Sequence, residues 1–162
     1  MSLVSNATAA NRFYEIEGDV SVQLAPWKLK ESGKPLNIAL FKLMVPIRFR
    51  SNIANGDIVV PQGYVSDLAS IPQFAWSIFM ASDDPRIELG AWIHDLLYQN
   101  HGVVTLVGGG QTKLSRKQCD EILVNEAMVD LLATPFERGA VYQALRKFGD
   151  AWPADSFFER FH

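Results

Sequence analysis

An α+β domain is predicted, with an N-terminal antiparallel β-rich part packed on a C-terminal three-helix part, and three observations predict it. Apolar and polar residues alternate through much of residues 12–60 between turn signals, which is the two-residue period of half-buried strands. From Asp84 the apolar spacing changes to three and four. Helix-start signatures also recur there, at Asp84-Pro85, at Ser115 with Gln118, and at Thr134-Pro135 with Glu137.

Residues 1–11 are small and polar and read as a loose leader without the basic and apolar regions of a signal peptide. The β-rich part spans 12–72. Short strands are expected over Arg12–Glu17 and Val20–Leu24 around the turn Gly18-Asp19, and a longer β run from Leu36 to Phe49. Asn55-Gly56-Asp57 is a turn signal ahead of the strand Ile58–Val60. From Pro61 to Pro72 the chain is turn-rich. Asp67 and Ser70 are three residues apart there, a spacing that fits either a backbone cap or a place in a site. Phe74 to Met80 forms a short apolar helix or buried loop.

The helical part spans 84–149. Its first helix starts at Pro85, runs to about Asn100, and turns Ile87, Gly90, Ala91, His94, Leu97 and Tyr98 to one inward face. Gly102 and Gly108 to Gly110 mark a flexible connection of about a dozen residues. A second helix begins at Ser115 and carries Asp120 on the stripe Asp120, Val124, Ala127, Met128 and Leu131. A third runs from Pro135 to Phe148 and stops at Gly149. The tail, 150–162, is too aromatic for a free end and is expected to pack back on the domain or on a neighbour.

The chain of 162 residues, 48% hydrophobic and 20% charged, is long enough for one core and calls for no second domain. A net charge of −3 and a pI near 5.6 provide no basic footprint for nucleic acid. The longest apolar run, Leu36 to Ile47, is broken by Lys42 and Pro46 and is too short to be a transmembrane segment. The single cysteine, Cys119, rules out an intrachain disulfide framework. It reads as a small core residue, with a reactive thiol activated by Arg116 and Lys117 as the alternative.

Trp92 to Tyr98 stands apart, because His94 and Asp95 sit together inside an apolar run. Asp120, an inward carboxylate on the next helix, needs a partner, and His94 is the candidate in sequence logic. Such a pair gives His94 as general base and Asp120 as the group that fixes its tautomer, with Tyr98 able to hydrogen-bond a carboxylate. Asp95 is rotated about a hundred degrees away and could hold a hard cation, with backbone carbonyls or Asp67 completing an oxygen shell and Ser70 as a supporting residue. The alternative is a buried polar network that only fixes helix register.

Val60, Gly63, Tyr64, Ser66, Asp67, Ser70 and Pro72, followed by His94-Asp95-Leu96-Leu97-Tyr98, Arg116, Asp120 and the Tyr142 to Arg146 segment, resemble a phage- and prophage-encoded family, domain of unknown function 1353, from about Val60 to Gly149. The resemblance implies a phage context, with synthesis in the host cytoplasm, the virion as one destination, and other particle proteins or a lipid or cell-envelope substrate as partners. His94-Asp95-x-x-Tyr98 with a later Asp120 is also distantly similar to the helix pair of phospholipase A2 enzymes. That similarity implies a metal-assisted hydrolase in which His94 activates water, Asp95 binds calcium and Asp120 orients His94. Two functions are therefore carried forward: an ester hydrolase, and a non-enzymatic structural or assembly component of a phage particle.

Overall fold

A computed structural model describes residues 12–14, 19–23, 40–68, 85–131, 133–148 and 152. Ser70, the segment Phe74 to Met80, Asp84 and the tail apart from Trp152 lie outside these residues.

The alternating segments form short antiparallel strands, as their period requires. β1 (Ser21–Gln23), β2 (Phe41–Leu43) and β5 (Val65–Ser66) make one sheet in the order β1-β2-β5. β3 (Ile47–Ser51) and β4 (Gly56–Val60) make a hairpin registered from Ile47 opposite Val60 to Ser51 opposite Gly56. Alternation along β3 buries Ile47, Phe49 and Ser51 and leaves Arg48 and Arg50 outside. Phe13 adds a single bridge to Phe49 and packs its ring 4.8 Å from it.

α1 (Pro85–Gln99) differs from the one-faced helix expected, because every residue from Leu89 to Tyr98 is buried. It is a central helix covered on all sides, so His94 and Asp95 are both interior although they point in different directions. The helix ends where His101 and Gly102 take positive φ (51° and 76°) and the Gly102 N–H reaches the Leu97 carbonyl at 2.8 Å. A Cβ on Gly102 would lie 2.0 Å from the Leu114 carbonyl oxygen, so glycine is required there for space as well as for φ.

The expected flexible connection is instead a β-hairpin. β6 (Val103–Thr105) pairs with β7 (Gln111–Lys113), because Val103, Val104 and Thr105 are β-branched and Gly108 and Gly109 supply the positive φ of the turn.

The second helical rod has three parts: α2 (Arg116–Glu121), a π-helical segment (Ile122–Ala127) and α3 (Met128–Asp130). Ser115 and Gln118 close the predicted capping box reciprocally. α4 (Pro135–Phe148) starts with the second such box, Thr134 with Glu137. Gly90 lets the rod approach α1, since a Cβ there would meet the Leu123 side chain at 2.8 Å. Trp92, Phe49, Ile47, Ile58 and Leu145 are among the largest fully buried side chains, so sheet and helices share one core.

Candidate functional site

The site assembles around Asp120. α1 presents His94 and, one turn on, Tyr98; α2 presents Asp120 from its last turn; α4 presents Arg146 from its own last turn. His94 Nε2 lies 3.0 Å from Asp120 Oδ1, and the Tyr98 hydroxyl donates to the same oxygen at 2.5 Å. Arg146 donates to the other oxygen, Oδ2, at 2.9 Å. The expected pairing of His94, Asp120 and Tyr98 is therefore present as geometry.

Burial alone would push the Asp120 carboxyl up, but hydrogen bonds from His94, Tyr98 and Arg146 outweigh it and hold the carboxyl below its ordinary range. Asp120 is thus an ionised carboxylate inside the protein. The Tyr98 hydroxyl is pushed up by its burial and by Asp120, while Arg116 beside it pulls the other way. Tyr98 therefore stays a donor. The His94 and Tyr98 rings lie 4.2 Å apart. Trp152 meets the Tyr98 ring edge-on at 5.2 Å and stacks on His101 at 5.9 Å, so at this residue the tail does pack back on the domain. His94 and Asp120 are both fully buried.

Asp95 belongs to a second group. Its Oδ2 accepts from the Ser66 hydroxyl, whose oxygen in turn accepts the Leu68 N–H at 3.1 Å. Asp95 is 2% exposed, so it holds the Ser66–Leu68 turn rather than facing solvent. Leu68 is in the left-handed region at φ 53°, a strained conformation for a branched side chain, and its burial and the Ser66 bond keep it there. Burial, and then the charges of Asp95 and Asp67, push the Tyr64 hydroxyl up. Ser70 lies outside the described residues. Calcium takes six to eight oxygens, and among the described residues no three His, Cys, Asp or Glu side chains group to hold a metal. Two carboxylates, one engaged by Ser66, are a thin fit.

Cys119 is buried, and that burial, followed by the Asp120 charge, pushes its thiol up to about 12. The reactive-thiol alternative is therefore corrected: Arg116 and Lys117 do not activate it.

Three participants had no assigned role in the sequence reading. Arg146 and Ser66 lie within the family-like segments, but which carboxylate each meets depends on the packing. Glu126 gave no signal at all. Its carboxylate accepts from the Ser51 hydroxyl at 2.6 Å and from the Asn52 and Ile53 N–H groups at 2.9 and 3.2 Å, pinning the β3–β4 turn to the π segment. Six residues of helix turn Glu126 well away from Asp120, so it meets the β3–β4 turn while Asp120 meets α1 and α4.

Fold and site define an α+β domain with a buried His–Asp dyad between its helices. The chain belongs to the family described as Protein of unknown function (DUF1353), whose model matches residues 41–145. The match begins at β2, earlier than the Val60 start expected from the motifs, so it includes the β3–β4 hairpin. No curated protein and no solved structure gives a significant match.

Proposed function

We propose that the domain is a phage- or prophage-encoded hydrolase of ester bonds in lipid or cell envelope, with His94 as general base. One observation carries this reading: an ionised, fully buried Asp120 holds His94 Nε2 at 3.0 Å while Tyr98 and Arg146 fix the carboxylate. Because Nε2 faces Asp120, Nδ1 is the nitrogen that takes a proton from water. The hydroxide equivalent adds to the ester carbonyl, and the proton passes from His94 to the departing alkoxide. Asp120 stabilises the imidazolium between these steps, and Tyr98 and Arg146 act as positioning residues. The ring is 0% exposed, so turnover requires an opening step before substrate enters. No step is routed through calcium. Synthesis in the host cytoplasm, with the virion as destination, accords with this role.

Complete burial also favours a second reading, in which the network only locks the helices of a phage particle component. One experiment separates the two. Anionic phospholipid vesicles and a short-chain nitrophenyl ester are incubated with the protein, with and without millimolar calcium. Hydrolysis that His94→Gln reduces by at least about a hundredfold, with the fold retained, is expected from the general-base role. Absence of hydrolysis under both conditions, together with a lowered melting temperature for His94→Gln, leaves the structural reading standing.

A further inference from the structure

Arg138 is set apart from its neighbours by what it lacks. Arg12 pairs with Asp130, Arg48 and Arg50 with Asp57, and Arg146 with Asp120. No described carboxylate pairs with Arg138, although its side chain is half-buried; its Nε, like those of Arg12 and Arg116, is enclosed without an acceptor among the described residues. Among the described residues its guanidinium makes one hydrogen bond, a long one from an Nη atom to the Val124 carbonyl at 3.4 Å. A guanidinium carries five donors, and an enclosed donor without an acceptor is costly.

The side chain lines a cleft of about 370 Å³ between the rod and α4, formed by Glu121, Val124, Asn125, Arg138, Gly139 and Tyr142 among others. Gly139 interrupts α4 in an exposed stretch where a Cβ would meet nothing within 4 Å. Packing does not explain the glycine, which lines the cleft. Helix propensity disfavours glycine at such a position. Across the cleft Glu121 is only 29% exposed and is engaged by Lys117 at 3.6 Å.

We propose that this cleft binds a carboxylate ligand on Arg138, at a site separate from His94. The planar guanidinium matches a carboxylate through parallel N–H···O bonds. Glu121 in the same cleft penalises a phosphate dianion more than a carboxylate monoanion, and it complements an ammonium or other donor on the same ligand. The shared chemistry is that of a free amino acid or a peptide C-terminus.

Arginine Nε–H signals of the nitrogen-15-labelled full chain provide the test, since enclosure protects that proton from exchange. Sodium acetate is titrated against sodium chloride at equal ionic strength. The Arg138 signal, assigned by its loss in Arg138→Gln, moves saturably with acetate and not with chloride, and the Gly139 amide follows the same curve. Read at that amide, Arg138→Gln weakens binding at least tenfold. Gly139→Leu keeps the helix and fills the cleft, abolishing the saturable shift at Arg138 without lowering the melting temperature. Tighter binding of L-alanine than of acetate assigns an amino acid; tighter binding of N-acetyl-alanyl-alanine assigns a peptide C-terminus; equal binding leaves the carboxylate alone as the recognised group. A linear drift shared with chloride, or a saturable shift at Gly139 that survives Arg138→Gln unchanged, overturns the proposal. Neither result bears on His94.

Discussion

Asp57 and Asp120 are built from similar parts and behave differently. Each carboxylate accepts a tyrosine hydroxyl, Tyr14 or Tyr98, and at least one arginine. At Asp57 the remaining partners are Arg48 and Arg50, with side chains 44% and 57% exposed on the outer face of β3. At Asp120 the remaining partners are Arg146, 37% exposed, and His94, fully enclosed. Both carboxyls are depressed, Asp57 to about 2, because in each the donated hydrogen bonds outweigh the burial that would raise it. The difference lies in the donors. Water can replace exposed guanidinium groups around Asp57, but nothing solvates His94 or Tyr98 once Asp120 is gone. Burial therefore turns the same chemical kit from a surface clasp into a strict dependence.

The sharpest way to break this comparison is removal of each carboxylate. Asp120→Ala is expected to cost about 3–5 kcal/mol, because it orphans interior donors, against about 1 kcal/mol for Asp57→Ala. Urea denaturation measures both; equal costs would show that enclosure is not the deciding variable. Glu126→Gln falls between them at about 1–3 kcal/mol, since the amide keeps one acceptor oxygen but brings its own donors toward the Asn52 and Ile53 N–H groups.

Acid sharpens the contrast in a smaller way. A depressed carboxyl stabilises the fold above its unfolded value, near 3.9, and loses that contribution as pH falls through the folded value. The Asp57 contribution is thus present above about pH 4 and disappears on the way to about 2. Melting temperature followed from pH 5 to 2 should fall less steeply in Asp57→Asn than in the parent chain. Smallest is the loss from Arg50→Ala, which shrinks further in molar salt, as expected for an exposed ion pair; urea denaturation with and without salt measures it.

Local signals were legible in the sequence wherever chemistry acts over three or four residues. The boxes at Ser115 with Gln118 and Thr134 with Glu137 close as their spacing requires. Alternation at Ile47 and Phe49 set the inward face of β3, which the structure extends to Ser51. The His94–Asp120 pairing was also readable, because an inward carboxylate demands a partner and few buried residues can supply one. The reading failed where local preference was ambiguous. Three glycines suggested a loose connection after Gly102, yet short β-branched flanks closed a hairpin around them. The one-sided face drawn for α1 missed its burial on every side, which depends on what covers a helix rather than on the helix itself.

What the sequence determined by itself is the class of domain, the starts of two helices, and the demand that His94, Tyr98 and Asp120 find polar partners inside. Only the tertiary structure decided that Arg146 completes Asp120, that Ser66 claims Asp95, and that Glu126 leaves the solvent side to hold the β3–β4 turn. The physical reason is range. Capping and periodicity are settled by neighbours a turn away, whereas partners 26, 29 and 75 residues apart are chosen by how helices and strands pack.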